Sequence, residues 1–379
     1  MSKTVSRIPL PCPALGTNRT VTVHRYGQPG ARPKAYVQAG LHADELPGML
    51  AAHHLLRRLD ALDAAGAIRG EIVVVPVANP IGLSQSVLEC HLGRFSLDGR
   101  GNFNRHYPDL APIVAPRIAG QLTGDAERNV RLVRAALLAA LAEQQPAGET
   151  GALRKLLLGL SIDADFVLDL HCDNRAPVHV YLGTPLWPDA EDLAREFGAE
   201  AVLLAEESGD NPFDEANSAP WWVLRRLLGD EHPLPPACLA ATIELRGQAD
   251  VDDGTAQADA DALVRFLQRR GVVAGDPGPL PKARCDATPL AGNEMLRAPV
   301  AGIVTYSRPL GARLRRGEHV ADIVDPTADP AQARTPLHAG VDGVLWSQCL
   351  HRLVRPGDIV AKIAGAEPIE GRGAILLTT

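Results

Sequence analysis

Short apolar runs alternate with longer stretches of helical periodicity through residues 1–275. Runs rich in Val, Ile and Leu, with the length of buried strands, favour a largely parallel sheet. They span Val21–His24, Ala35–Leu41, Glu71–Val77, Phe166–Leu170, Val178–Leu182 and Leu239–Leu245. The helical patterns span Leu46–Ala64, Asp125–Glu143, Ala190–Phe197, Trp221–Leu228 and Ala256–Arg269. This alternation predicts an α/β domain of a sheet flanked by helices, whose functional sites gather at the carboxyl ends of strands.

The pattern changes after residue 275, where a segment rich in Pro and Gly predicts a linker over residues 276–290. Residues 291–379 then show short strands separated by glycine turns. Two halves resemble each other at a shift of about 40 residues, with Gly302 matching Gly343 and Gly317 matching Gly357. We therefore expect a C-terminal all-β domain similar to a barrel-sandwich hybrid. It lacks the lysine motif of carrier domains, so we expect a structural or oligomerising role, including a homo-oligomer.

Composition narrows the class of protein. The formal net charge of −7 and the absence of a basic stripe argue against a nucleic-acid partner. No apolar run approaches the ~20 residues of a membrane span, and no signal peptide is recognised, so we expect a cytoplasmic protein without a membrane partner. The cysteines are scattered and fit reduced thiols: Cys12, Cys90, Cys172, Cys238, Cys285 and Cys349.

Chemistry-bearing residues stand at the ends of three predicted strands. His42 and Glu45 follow the strand that ends near Gly40, and their spacing suits a zinc ion, although such a pair also arises by chance. His171 ends another strand, where Asp169 on the same face could hold its tautomer. Taken alone, His171 is better explained as a histidine that ends a strand and caps a loop. The conjunction of strand ends is what makes a metal site the better hypothesis.

Glu244 lies within the apolar run Leu239–Leu245, where a carboxylate is costly to bury unless it is paired or functional. Near a metal it could act as a general base with a raised pKa. An ion pair with Arg246 is the structural alternative, and the sequence allows both. A polar segment, residues 211–216, precedes the helix predicted to begin at Trp221, and its part in substrate selection stays open.

A segment rich in Gly, Asn and Arg, residues 93–108, predicts an ordered loop. Arginine matches a carboxylate with two hydrogen bonds, so this loop could bind an anionic substrate and a developing oxyanion. For Arg100 we favour simple solvation at the surface.

Taken in order, these residues resemble the zinc carboxypeptidase superfamily. The closer resemblance is to its succinylglutamate desuccinylase/aspartoacylase branch, the zinc-dependent N-acyl amino acid deacylases, over residues 30–270. The motifs that carry it are His42-x-x-Glu45, Asn79-Pro80, Asn104-Arg105, His171 and Glu244. A β-rich C-terminal module also occurs in that branch.

The resemblance implies a role for each matching residue. His42, Glu45 and His171 would bind one zinc ion per chain. Asn104 and Arg105 would hold the α-carboxylate of the substrate. Glu244 would be the catalytic carboxylate, and the oxyanion would meet an arginine for which Arg94 is the best match and Arg100 the alternative.

The implied activity is metal-assisted hydrolysis of a small N-acyl amino acid or a similar amide. A zinc metallocarboxypeptidase acting on peptides would share every ligand. A non-catalytic, metal-bearing binding protein is the alternative from another class, and Glu244 argues against it. The acyl group and the amino acid are not determined by the sequence.

Overall fold

The structure is a computed structural model that describes residues 2–11, 14–373 and 375–377. A nine-stranded sheet forms its centre. Its strands are β1 (Thr4–Pro9), β2 (Thr20–Tyr26), β3 (Lys34–Ala39), β4 (Glu71–Val75), β9 (Phe166–Asp173), β10 (His179–Gly183), β11 (Ala201–Ala205), β12 (Leu239–Gly247) and β13 (Ala287–Pro289). The loop after β4 contains two short ladders outside this sheet, which consist of β5 (Ser86–Val87), β6 (Cys90–His91), β7 (Phe95–Ser96) and β8 (Gly101–Asn102).

The order across the sheet is β1-β2-β4-β3-β9-β12-β10-β11-β13. The central strands β4, β3, β9 and β12 run parallel, whereas β10 is antiparallel to β12 and β1 and β2 run antiparallel at one edge. The predicted mixed, largely parallel sheet is therefore confirmed. Because β3, β9 and β12 are adjacent and parallel, their carboxyl ends meet at one edge of the sheet.

Helices cover both faces of the sheet, and each face buries a separate apolar cluster. One cluster is built around Phe103, Trp221 and Leu137, the other around Leu55, Phe266 and Ile243. The helices are α1 (Leu46–Ala64), α2 (Pro80–Leu83), α3 (Ala111–Ile118), α4 (Ala126–Glu143), α5 (Gly148–Ser161), α6 (Glu191–Glu196), α7 (Phe213–Leu228) and α8 (Asp253–Arg269), with 3-10 turns at Thr184–Leu186 and Leu290–Gly292.

Helix α7 begins eight residues before the predicted start at Trp221, so the segment 211–216 is not wholly a loop. The predicted helix began just after Pro220, and a proline inside a helix costs a backbone hydrogen bond. The helix nevertheless continues through Pro220, and its first two turns bury nearly all of their side chains against the sheet. Tertiary packing has outweighed the local cost of the proline.

The C-terminal part forms two four-stranded antiparallel sheets, which confirms the predicted all-β region. Their orders are β14-β21-β19-β16 and β18-β17-β15-β20. The internal repeat explains this arrangement, because each half lends its short middle strand to the sheet of the other half. The strands are β14 (Asn293–Arg297), β15 (Gly302–Tyr306), β16 (Arg313–Leu314), β17 (His319–Val324), β18 (Arg334–His338), β19 (Gly343–Gln348), β20 (Leu353–Val354) and β21 (Ile359–Gly365).

The two parts are in close contact. Strand β13, which lies inside the segment predicted as a linker, pairs with β11 as the last strand of the central sheet. A small apolar cluster joins Leu203 of β11 to Leu290 and to Trp346 of β19. The ring of Trp346 lies 4.4 Å from that of His179, between centroids. The β-rich part is therefore packed directly on the edge of the sheet where β10 and β11 lie.

No helix in the described part of the chain is long and apolar enough to cross a membrane. The described cysteines, Cys90, Cys172, Cys238, Cys285 and Cys349, are all free. Cys12 lies outside the described residues.

Candidate metal centre

His42, Glu45 and His171 come together at the carboxyl edge of the sheet. Each offers one ligand atom, and these atoms all lie within 4.8 Å of one another. All three side chains are buried. Within the described residues this is the one group of three or more His, Cys, Asp or Glu side chains arranged to hold a metal ion.

The local backbone explains how His42 and Glu45 reach that position. Gly40 has a φ of +68°, which turns the chain sharply out of β3, and a side chain there would collide with Met49. Glu45 then occupies the N-cap of α1, yet its carboxylate makes no capping bond. It accepts a hydrogen bond from the N–H of Cys172 at 3.1 Å instead and faces both histidines.

Hydrogen bonds to the outer nitrogens set the tautomer of each histidine. The Nε2 of His42 lies 2.8 Å from Asn102 Oδ1, and that oxygen also accepts the N–H of Asn104. His42 must therefore donate from Nε2. His171 likewise donates from Nε2 to Asp169 Oδ2, at 2.9 Å. The Nδ1 lone pairs of both histidines therefore face the carboxylate of Glu45. Outer partners orient metal-binding histidines in the same way.

This arrangement fits a cation. The two Nδ1 atoms lie 3.0 and 2.8 Å from the oxygens of Glu45, so acceptors face acceptors unless a positive charge lies among them. Arg94 Nη1 supplies part of that charge, at 3.0 Å from Glu45 Oε1 and 3.2 Å from His42 Nδ1. Two imidazole nitrogens and one carboxylate oxygen are the donor set of catalytic zinc sites, which keep a further position open.

The electrostatics of the three residues agree with this interpretation. Burial, helped by Arg94, lowers the pKa of His42 to about 4, so this imidazole is neutral and able to bind a metal at ordinary pH. Burial alone would raise the pKa of Glu45, but the two histidines hold it well below its usual value. Burial would likewise lower the pKa of His171, but Asp169 and Glu45 raise it well above its usual value. The site therefore attracts a proton or a metal ion.

A second layer of side chains supports the ligands. Gln38 of β3 donates from Nε2 to Asp169 Oδ1 at 3.0 Å, and Tyr36 donates to Gln38 Oε1 at 2.8 Å. The supporting roles of Gln38, Tyr36 and Asn102 were not predicted from the sequence. A polar Gln in an otherwise apolar strand was a signal for Gln38, because a buried amide needs partners.

Glu244 lies directly beside His171, since the two residues are partners in the parallel pairing of β9 with β12. Its side chain is partly buried, and its Oε2 is buried without a hydrogen-bond partner among the described residues. Burial and the nearby Glu45 carboxylate raise the pKa of Glu244 to about 8. A buried carboxylate with a free oxygen and a raised pKa is suited to accept and return a proton.

The proposed ion pair between Glu244 and Arg246 does not form. A bulge interrupts β12 between Glu244 and Gly247, and Arg246 has a φ of +66°. The guanidinium is turned towards α8, where its Nη1 lies 3.1 Å from Asp259 Oδ1. Regular alternation along the strand would have kept Arg246 on the face of Glu244, and the bulge removes it.

The arginine-rich loop is packed tightly against the turn that carries His42. Gly93 accepts the N–H of Ala43 through its carbonyl, and a side chain on Gly93 would lie 2.1 Å from Asp44 N. Arg94 is thereby held next to Glu45, with its side chain 42% exposed. Arg100 is exposed, is paired with Asp98 at 3.7 Å and does not line the cavity described below.

Asn104 and Arg105 are buried and line the same cavity. Asn104 Oδ1 accepts the N–H of Phe213 at 2.8 Å, at the start of α7. This bond fixes the orientation of the Asn104 amide and leaves its NH₂ group available to a ligand. Arg105 donates to the carbonyl of Asn104 at 2.7 Å and forms no ion pair with any described residue.

A cavity of about 740 Å³ contains the metal group, Glu244, Arg94, Asn104 and Arg105. The C-terminal sheets form one of its walls, through residues of β14, β19 and β21. At this wall Lys362 Nζ lies 2.6 Å from Asp173 Oδ2, which ties β21 to the end of β9. The cavity is of the size that small-molecule sites have, and residues from both parts of the chain line it.

Comparisons with known proteins agree with the fold and the motifs. A family model described as the succinylglutamate desuccinylase/aspartoacylase catalytic domain matches residues 31–270. Two solved structures of proteins of that family, from Shewanella amazonensis and Shewanella frigidimarina, are each 26% identical, with TM-scores of 0.83 and 0.82. They cover 96% of this chain and 98% and 97% of their own. The product-bound ectoine utilization protein of Ruegeria pomeroyi has the same fold at 17% identity, with a TM-score of 0.68, over 96% of this chain and 95% of its own. No curated protein matches the chain.

Proposed function

Because the chain belongs to the succinylglutamate desuccinylase/aspartoacylase family, we propose that it is a zinc-dependent amidohydrolase that removes the acyl group from an N-acyl amino acid or a similar small amide. The observation that carries the proposal is the carboxylate of Glu244, whose Oε2 is buried and unpaired, beside a His-Glu-His group inside a cavity. A binding protein has no use for such a costly carboxylate.

His42, Glu45 and His171 would hold the zinc ion. Bound zinc would supply a Lewis acid that acidifies water and polarises a carbonyl oxygen. The residues of the chain do the rest. Glu244 accepts a proton from the attacking water while the water oxygen bonds to the acyl carbon. It then returns that proton to the amine nitrogen as the C–N bond breaks. Its raised pKa suits both steps.

The arginine-rich loop, residues 93–108, orients the substrate. Arg105 and the free NH₂ of Asn104 bind the α-carboxylate of the amino acid, which fixes the scissile amide. Arg94, already beside Glu45, faces the oxygen that becomes negative in the tetrahedral intermediate. Its partial exposure means that it can leave Glu45 for that oxygen at little cost.

A metallocarboxypeptidase is the second candidate, since it would use the same groups. The enclosing wall from β19 and β21 favours the smaller substrate, because a peptide needs an open path on both sides of the scissile bond. Release of amine from N-acyl amino acids, compared with release of C-terminal residues from short peptides, separates the two activities.

The decisive variant is Glu244→Gln, which keeps the shape of the side chain and removes the base. We expect zinc content unchanged and turnover lower by about 100- to 10,000-fold, the usual contribution of a general base. Metal analysis and amine release measure the two quantities. Glu294→Gln, in a partly buried position outside the cavity, is the matched control and keeps its turnover. Turnover above about a tenth of wild type in Glu244→Gln would remove Glu244 from this role.

A further inference from the structure

The start of helix α7 is fastened to the arginine loop. Besides the bond from Phe213 N to Asn104 Oδ1, the N–H of His106 donates to the Asp210 carbonyl at 2.7 Å. Asn211 Nδ2 in turn donates to the Tyr107 carbonyl at 2.9 Å. The first turn of α7 therefore holds a fixed position next to Arg105.

That turn carries two acidic side chains, Asp214 and Glu215, which are about nine-tenths buried and line the cavity. Acidic residues at a helix start are ordinary, since they complement the helix dipole at the surface. These two are buried, and neither forms an ion pair with any described residue. Glu215 Oε1 accepts the N–H of Ser208 at 2.8 Å. Burial is the main cause that raises the pKa of both carboxyl groups. Repulsion by Asp214 raises the pKa of Glu215 further.

Arg105 gives an independent indication of a ligand at this place. It is 4% exposed, and its one hydrogen bond within the described residues goes to the neighbouring Asn104 carbonyl. The remaining N–H groups of a buried guanidinium face the cavity without a partner, which is costly unless an anion completes them. An anionic group and a cationic group would thus both find free partners within one stretch of the cavity wall.

The charge of the whole cavity points the same way. Arg94 pairs with Glu45 and Lys362 with Asp173, which leaves Arg105 as the unpaired cation of the described lining. Against it stand the carboxylates of Asp44, Asp214, Glu215 and Glu244. The described lining has six acidic and three basic side chains, an excess of acidic groups that a cationic ligand would help to ionise. An anionic substrate without a compensating cation would add to that excess.

We propose that the preferred substrate is an N-acylated amino acid with a cationic side chain, its α-carboxylate on Arg105 and its side-chain ammonium or guanidinium against Asp214 and Glu215. This inference rests on the proposed deacylase function and specifies its substrate class. It separates the chain from the acidic acyl amino acids for which its family is named.

The test is a panel of matched Nα-acetyl amino acids with the full-length zinc-loaded protein. Ornithine is compared with norleucine, which has the same number of side-chain atoms and no charge, lysine with 2-aminoheptanoate, and glutamate serves as the acidic member. We expect kcat/KM for each cationic member to exceed that of its neutral partner by at least about tenfold, the lower end for a hydrogen bond to a charged group. Glutamate should be the slowest.

The variant Asp214→Asn/Glu215→Gln removes both charges and keeps both shapes, so the ratio of cationic to neutral substrate should fall towards one. Asp210→Asn is the matched control, because Asp210 lies close enough to act on Arg105 electrostatically but does not line the cavity. It should keep the wild-type ratio.

Each outcome has a separate meaning. Turnover of the panel without preference for the cationic members would overturn the inference and leave the deacylase function standing. A preference that survives in the double variant would overturn the role of Asp214 and Glu215. Failure to hydrolyse any member would instead count against the deacylase function itself.

Discussion

The two sides of the cavity satisfy their polar groups in opposite ways. On the sheet side, every ligand candidate has an outer partner: His42 has Asn102, and His171 has Asp169, itself bonded to Gln38. On the helix side, Arg105 and the acidic pair of α7 form no ion pair with one another or with other described residues. Apart from the unpaired Glu244 Oε2 and Asn102 Nδ2, the first side is complete except for a cation. The second side is complete only with a ligand that carries both charges.

The difference in hydrogen bonding between the two sides explains how such a cavity can be both stable and selective. Buried polar groups that are fully hydrogen-bonded hold a fixed geometry, which a metal ion requires. Buried charges left without partners cost stability in the empty protein and return it when a matching ligand binds. Substitutions of the ligand group and its outer partners should therefore change metal binding, and those of the charged residues on the helix side should change substrate selection.

The largest effect on the sheet side is expected from His171→Ala. With one of three ligands gone, we expect the protein to retain no stoichiometric zinc at micromolar concentration and to lose all measurable turnover. Cys172→Ala is the matched control, because Cys172 is the next residue and lines the cavity but is not part of the ligand group. Metal analysis after dialysis measures the difference. Full zinc retention in His171→Ala would show that the ligand group is wrongly assigned.

The sheet side was largely predictable from sequence. Strand ends can be recognised as apolar runs, and parallel neighbours bring their carboxyl ends together whatever the loops do. His42, Glu45, His171 and Glu244 needed no more than this and their matching motifs, and the family resemblance is confirmed. The residue roles themselves stay predictions.

On the helix side only Arg105, with its neighbour Asn104, was predicted from a motif, because the rest depends on packing between segments far apart in sequence. The helical pattern was predicted to begin at Trp221, so Asp214 and Glu215 fell in the polar segment before it, whereas α7 begins at Phe213. The bulge that turns Arg246 away from Glu244 has no clear signal in sequence. The contribution of β21 to the cavity, through Lys362, arises from its contact with the end of β9, which is far away in sequence.

A moderate effect is expected from Asp169→Asn, which weakens the outer support of the metal group. The amide accepts a hydrogen bond less strongly than the carboxylate and can present its NH₂ to His171 Nε2, so the tautomer is no longer fixed. We expect zinc affinity to fall by about 10- to 100-fold, as for other outer-shell substitutions. Competition with a chelator of known affinity measures it. An unchanged affinity would limit Asp169 to a packing role.

The smallest effect, and the sharpest separation of the two sides, is expected from Arg105→Lys. The ammonium keeps the charge but cannot offer the planar pair of donors that matches a carboxylate. We expect KM for an N-acyl amino acid to rise about tenfold, kcat to change little, and zinc content to stay as in the wild type. Arg100→Lys, at the exposed pair with Asp98, is the control and should change neither constant. If Arg105→Lys lowered zinc content or kcat and left KM alone, Arg105 would belong to the metal side, and the division of the cavity into a metal-binding side and a ligand-binding side would fail.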